Sequence, residues 1–298
     1  MNILITGATG LVATELTIYL LHHSDYRLIL VSRTTDKLKK RYQNFKERIV
    51  YLTLEELISN SQHIDICVHT AFARSSIGAD YAQSLVYLCH LANWAKGQHI
   101  RKFINISSQS VYGSNYTPLV TESGKCNPDY LYAMGKYSSE LLCNEIFEGT
   151  NIELYNIRLA SVVENARFMK VFVENALTGT PINLISPRQI VSFIDVRDVA
   201  TALVAVLNYK SFPGIYNLGT SQNYTIEQVA QTVKDVAEKN YAISEVNITV
   251  NDNGTDKKIG MDATKFMTTF NWVPEYSLKE MVISLFEMLT NANGGGIR

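Results

Sequence analysis

Tyr132 and Lys136 stand four residues apart, a spacing that puts both on one face of an α-helix. A phenol beside an ammonium group can exchange a proton with a substrate oxygen. Its ionisation must then be brought down from an ordinary pKa of about 10. The ammonium, like the cationic ring of an oxidised nicotinamide, favours the phenolate. Tyr130 lies six residues from Lys136 and is expected to face elsewhere. Upstream, Ser107-Ser108-Gln109-Ser110-Val111-Tyr112-Gly113 closes an apolar strand-like run. A serine hydroxyl there reaches the carboxyl edge of the sheet, where open α/β sheets bind ligands, and can hydrogen-bond a substrate oxygen.

A second constellation opens the chain. Gly7-Ala8-Thr9-Gly10-Leu11-Val12-Ala13 follows a strand and starts a helix. Glycine at 7 and 10 lets the backbone approach a pyrophosphate, and the helix N-terminus offers unpaired N–H groups and the positive end of its dipole. Ala13 takes the position of a third glycine and still allows close helix–strand packing. The second strand ends Val31-Ser32-Arg33, where an NAD site would carry Asp or Glu. A hydroxyl and a guanidinium suit a 2′-phosphate, so NADP(H) is favoured, with NAD(H) as the alternative.

These residues need a scaffold, and the hydrophobic rhythm supplies one. Strand-like runs at Asn2 to Thr6, Arg27 to Ser32, Ile64 to Thr70, Lys102 to Ser107 and Ile152 to Asn156 alternate with helical stretches. The helices fall at Leu16 to His23, around Lys37 to Lys46, at Tyr81 to Lys96 and at Tyr132 to Phe147. Strands too apolar to alternate belong in a parallel sheet covered on both faces. The fold class expected is α/β, a doubly wound parallel sheet of the Rossmann type. Beyond it lie a helix at Phe168 to Leu177, a turn at Gly179-Thr180-Pro181, a strand at Ile190 to Ile194, and helices at Thr225 to Glu238 and Leu278 to Leu289. The expected division is a dinucleotide-binding domain of residues 1–155 with 189–219, a smaller C-terminal substrate-binding lobe of 156–188 with 220–290, and a flexible tail at 291–298.

Composition narrows the partners. The chain has 298 residues, 46% hydrophobic and 18% charged, with 27 basic against 28 acidic side chains. No global field attracts nucleic acid or an anionic membrane, and no stretch approaches the ~20 apolar residues of a membrane span. A small-molecule substrate and a cytoplasmic location are expected. Cys67, Cys89, Cys126 and Cys143 form no Cys-x-x-Cys pair and read as reduced core thiols. None of the six histidines forms a ligand-like pair, so no metal is expected. His69 reads as a strand-end hydrogen-bonding residue.

Taken together these motifs resemble the extended short-chain dehydrogenase/reductases, especially the NAD(P)-dependent epimerase/dehydratase group. Thr6 to Ala13 matches its nucleotide loop, His69-Thr70-Ala71 its fourth-strand end, and Ser107 to Gly113 its Ser-Ser-x-x-Val-Tyr-Gly signature. The likeness continues through Tyr132 to Lys136, Asn156-Ile157-Arg158, Phe193 to Ala200, Ile215 to Gly219 and Trp272-Val273-Pro274. The resemblance implies that Ser108, Tyr132 and Lys136 are catalytic, with Lys136 also holding the nicotinamide ribose. It implies cofactor contacts from Gly7, Thr9, Gly10, Leu11, Val12, Ser32, Arg33, Thr70 and Ala71. Tyr112 and Gly113 are assigned to packing and turn geometry. A homodimer through the Tyr81 to Lys96 and Tyr132 to Phe147 helices fits the family.

The chain departs from the family at informative places. Gln109 and Ser110 stand where dehydratases of the group carry an acidic pair, which counts against dehydration. Ser161 replaces a diphosphate-binding Asn, and Val191-Ser192 precede Phe193 where an Arg is common. Arg167, Arg188, Lys257 or Lys258 are the candidates to supply that charge. The leading expectation is an epimerase or oxidoreductase acting on a sugar, which the resemblance implies is in its nucleotide-linked form. The alternatives are an NADPH-dependent reductase of a smaller carbonyl compound and a non-catalytic dinucleotide-sensing regulator.

Overall fold

The computed structural model describes residues 1–59, 62–98, 100–114, 119–209, 212–254 and 257–293. Its strands are β1 (Asn2–Thr6), β2 (Arg27–Val31), β3 (Ile49–Leu52), β4 (Ile66–His69), β5 (Lys102–Ser108), β6 (Glu153–Leu159), β7 (Ser161–Val162), β8 (Ile182–Leu184), β9 (Ile190–Ile194), β10 (Gly214–Leu218), β11 (Asn223–Thr225) and β12 (Ile248–Val250). Its α-helices are α1 (Leu11–His23), α2 (Asp36–Arg41), α3 (Leu54–Ser59), α4 (Gly78–Gly97), α5 (Leu131–Phe147), α6 (Arg167–Thr178), α7 (Val196–Asn208), α8 (Ile226–Asn240), α9 (Thr264–Phe270) and α10 (Leu278–Asn293).

Seven strands form a parallel sheet in the order β10-β6-β5-β4-β1-β2-β3. Alternate residues of β1 feed opposite faces: Ile3 and Ile5 pack with Leu16 and Leu20 of α1 and Val199 and Leu203 of α7, whereas Leu4 packs with Leu88 and Leu91 of α4 and Phe147 of α5. This double cover explains why the strands are apolar throughout rather than alternating. The chain runs outward from β1 to β3 and then returns to place β4 beside β1. Strand order reverses there, which opens the crevice at the carboxyl ends of β1 and β4 that ligands of such sheets use.

A second core gathers Met169, Phe172 and Val173 of α6, Val229 and Val233 of α8, and Met281, Leu285 and Phe286 of α10. Helix α6 stops at Gly179 in the left-handed conformation, and α8 starts with a reciprocal Thr225–Gln228 capping box. Two small sheets, β11-β9-β7 and β12-β8, belong to this part.

Several elements differ from the sequence expectation. Strand β3 and helix α3 were not anticipated, since each is a single short run without a clear period. Helix α7 was anticipated only as a motif, and α9 not at all. Helix α1 begins at Leu11 rather than Leu16, because Gly10 is its N-cap. Helix α10 continues through Asn293, three residues into the expected tail of 291–298, and residues 294–298 lie outside the described residues.

Candidate active site

A cavity of about 360 Å³ opens at the carboxyl ends of β1, β4, β5 and β6. It brings together Gly10, Leu11, Val12, Thr70, Ser108, Tyr132 and Lys136, which lie far apart along the chain. Gly7, Thr9, Ala71, Ser32 and Arg33 are outside its lining.

The βα turn beside it is tightly built. Gly7 adopts φ +65°, its carbonyl accepts the Gly10 N–H at 2.7 Å, and a Cβ at Gly7 would sit 2.8 Å from the Ala71 backbone. The Thr70 hydroxyl closes the same corner by donating to the Thr6 carbonyl at 2.8 Å. Thr9 and Gly10 are exposed. No side chain caps α1 and its first turn holds no acidic residue, so its leading N–H groups and dipole end stay available to an anion. That turn fits the pyrophosphate of a dinucleotide. At the end of β2, the Ser32 N–H is taken by the Leu52 carbonyl at 3.1 Å and Arg33 is exposed.

Helix α5 presents Tyr132 and Lys136 to the cavity. Gly135 lets the helix press against Phe72, whose ring would lie 2.9 Å from a Cβ there. The Lys136 ammonium sits 4.3 Å above that ring, 6.0 Å from the Tyr132 ring, and donates to the Ile106 carbonyl at 2.6 Å. Burial lowers its pKa to about 7, with Glu140 opposing and Arg74 reinforcing the shift. Burial also raises the Tyr132 phenol, against the opposing charge of Arg74 and a hydrogen bond with Ser108, while Tyr130 adds to the rise. Without a further positive charge the phenol therefore keeps its proton at neutral pH. Ser108 ends β5, and its hydroxyl also accepts the Ser110 N–H at 3.2 Å. Phenol and hydroxyl together can grip one substrate oxygen and pass a proton to or from it.

Tyr130 corrects the helical-face argument. It is the extended N-cap of α5, not a helical residue, so it stacks on Tyr132 at 6.3 Å and lines the same cavity.

Beneath the site runs a buried polar chain. Ser107 Oγ donates to the Glu140 carboxylate, which also receives Arg158 Nε and Nη2 at 3.0 and 2.7 Å. Arg158 Nη1 donates to the Tyr112 phenol at 2.9 Å, and that phenol donates to Asn217 Oδ1 at 2.7 Å. Asn217 Nδ2 then holds the Val120 and Asp262 carbonyls. Desolvation pushes Tyr112 up to about 12, so it stays a donor. Gly113 serves turn geometry at φ +88°, where a Cβ would strike the Asn127 carbonyl at 2.3 Å.

Glu140 and Arg74 were missed from sequence, and Gln109 was read only as a departure from the family motif. Glu140 had a legible signal, one further turn along the Tyr132–Lys136 face. Gln109 is buried against the cavity and donates to Ser161 Oγ at 3.1 Å. Arg74, in the loop after β4, had none. His69 behaves as expected: its Nδ1 meets Thr6 Oγ1 at 2.8 Å, and burial lowers it to about 3, leaving it neutral. Of the diphosphate candidates, Arg167, Arg188, Lys257 and Lys258 all lie outside the cavity lining, and Arg188 pairs with Asp252 at 2.7 Å.

Known proteins resemble this chain over nearly its whole length. The model of the NAD dependent epimerase/dehydratase family matches residues 3–219. A human dTDP-D-glucose 4,6-dehydratase is 24% identical over 96% of this chain and 89% of its own. The crystal structure of UDP-glucuronic acid 4-epimerase from Bacillus cereus, in complex with UDP-glucuronic acid and NAD, superposes with a TM-score of 0.80 at 21% identity, covering 98% of this chain and 100% of that one. UDP-N-acetylglucosamine 4-epimerase from the same organism gives 0.82 at 18% identity, over 100% and 98%. Dehydratases and epimerases thus both stand among the relatives, and the comparisons give no support to setting dehydration aside.

Proposed function

The chain belongs to the NAD dependent epimerase/dehydratase family, and from that premise we propose that it is an epimerase or oxidoreductase of a nucleotide-linked sugar, with Ser108, Tyr132 and Lys136 as its catalytic residues. The observation that carries this reading is their convergence, with the open N-terminus of α1, on one cavity.

Gly7, Thr9, Gly10, Leu11 and Val12 would hold the dinucleotide's pyrophosphate, Thr70 and Ala71 would border it, and Lys136 would hold the nicotinamide ribose. A bound nicotinamide would supply the hydride chemistry. The chain's own part is proton management. Tyr132 exchanges a proton with the reacting hydroxyl, Ser108 holds that oxygen, and Lys136 favours the phenolate by its charge. Gln109 and Ser110, two neutral groups, follow the catalytic hydroxyl and offer no carboxylate to drive elimination, which favours epimerisation or reduction within the family. Ser32 and Arg33 at the end of β2 favour NADP(H) through the 2′-phosphate, whereas the B. cereus epimerase structure was solved with NAD.

We assign 1–155 with 189–219 to dinucleotide binding and 156–188 with 220–290 to the substrate lobe. A homodimer through α4 and α5 is supported by the exposure of Val86, Met134 and Leu141. Sedimentation giving only monomer at micromolar concentration would reject it.

The test is to incubate the dinucleotide-loaded protein with UDP-glucose, UDP-N-acetylglucosamine and UDP-glucuronic acid, following sugar stereochemistry by proton NMR and nicotinamide absorbance at 340 nm. Inversion at one carbon without net absorbance change supports epimerisation. Stoichiometric loss of NADPH with a carbonyl substrate supports the reductase alternative, and conversion of none of the panel contradicts the leading reading.

A further inference from the structure

Arg74 occupies a position that the acid/base scheme above does not use. It lines the cavity with Ser108, Tyr132 and Lys136. Its loop is pinned on both sides: the Ala73 N–H is held by Ser84 Oγ at 3.0 Å, and Tyr81 donates to the Ser75 carbonyl. Phe72, wedged against Gly135, fixes the preceding turn to α5. The residues on either side of Arg74 are therefore tied to α4 and α5.

Arg74 is solvent-exposed where it lines the cavity. Among the described residues no carboxylate lies within ion-pair distance of Arg74. Arg158, beneath the site, is by contrast neutralised by Glu140. Glu140, the nearest acid to Lys136 along α5, is already shared by Arg158 and Ser107. The cavity lining thus holds a guanidinium and an ammonium and, among the described residues, no carboxylate. A planar fork of donors in that setting matches a group with two oxygens.

We propose that Arg74 binds an oxyanion of the substrate, a carboxylate on the sugar or a phosphate of the diphosphate, and so fixes the reacting carbon beside Tyr132. The proposal rests on the nucleotide-sugar reading above and names the residue that would select its anionic group. The proximity of the guanidinium also opposes the burial-driven rise of the Tyr132 phenol, so an anion bound there would couple recognition to proton transfer.

The experiment is calorimetric titration of the dinucleotide-loaded wild type, Arg74→Met and Arg74→Lys with UDP, UDP-glucose and UDP-glucuronic acid, with thermal melts to check folding. Losing a charge-assisted pair should weaken binding about 10- to 100-fold in Arg74→Met, with Arg74→Lys between. A loss confined to UDP-glucuronic acid identifies the sugar carboxylate, and an equal loss for all three identifies the diphosphate. Unchanged affinities in a folded Arg74→Met overturn the proposal and leave the function standing. Weakened NADPH and NADH binding, with sugar-nucleotide affinity intact, overturns it by assigning the oxyanion to the cofactor. A wild type that binds none of the three contradicts the nucleotide-sugar reading, and this proposal with it.

Discussion

Replacing Arg158 by Met isolates the buried chain beneath the catalytic residues. The Arg158 and Glu140 side chains are 3% and 2% exposed, and three N–H···O contacts of 3.0, 3.3 and 2.7 Å join them. Among the described residues, the variant leaves the buried carboxylate with Ser107 as its remaining hydrogen-bond donor and strips the Tyr112 phenol of a donor. Removing one partner of such a pair costs about 3–5 kcal/mol. That is a large share of the roughly 5–15 kcal/mol by which a domain is stable. At about 2–4 °C per kcal/mol, the melting temperature should fall by roughly 6–20 °C. Changing Glu140 to Gln as well removes the stranded charge, so Arg158→Met with Glu140→Gln should recover part of the loss. Urea unfolding followed by circular dichroism measures both. A single variant within about 1 kcal/mol of wild type, or a double variant less stable than the single, refutes the reasoning that each buried charge depends on the other for compensation.

Three further outcomes are expected. Lys136→Met should stabilise the dinucleotide-free protein while abolishing turnover: with its folded pKa near 7 against an unfolded 10.5, the buried ammonium costs most below pH 7 and the cost fades as pH rises towards 10.5. The gain in melting temperature should be larger at pH 6 than at pH 9, and the reverse order would contradict the shift. Gly7→Ala forces a side chain into φ +65° against the Ala71 backbone; it should cost at least about 1–2 kcal/mol in urea unfolding and weaken NADPH binding. Arg33→Ala should remove a preference for NADPH over NADH in paired fluorescence titrations, and equal binding of both by the wild type would return the assignment to NAD(H).

The fold was legible because strands such as Ile3-Leu4-Ile5 are apolar on both faces, a pattern a parallel sheet between helix layers explains. Short elements escaped: β3 and α3 have too few residues to show a period, and their place at the sheet edge is a tertiary fact. Within the site, Tyr132 and Lys136 were readable as an i,i+4 pair, since helix geometry carries those positions directly, and the segment Ser107 to Gly113 as a strand-end turn bearing a serine hydroxyl, whereas Ser108 was singled out from its neighbours by the family resemblance. Tyr130 misled because a face argument assumes helical backbone, which an N-cap lacks. Arg74 was invisible because a loop's path decides where its charge arrives, and that path depends on Ser84, Tyr81 and the glycine at 135.

The central claim is that Tyr132 exchanges the proton of the reacting hydroxyl. It is tested most directly by comparing wild type and Tyr132→Phe at saturating dinucleotide on whichever UDP-sugar the wild type converts. The account predicts unchanged dinucleotide affinity and a turnover rate lower by about 10²- to 10⁴-fold, the usual contribution of a positioned acid/base group. A variant that turns over within threefold of wild type would contradict it.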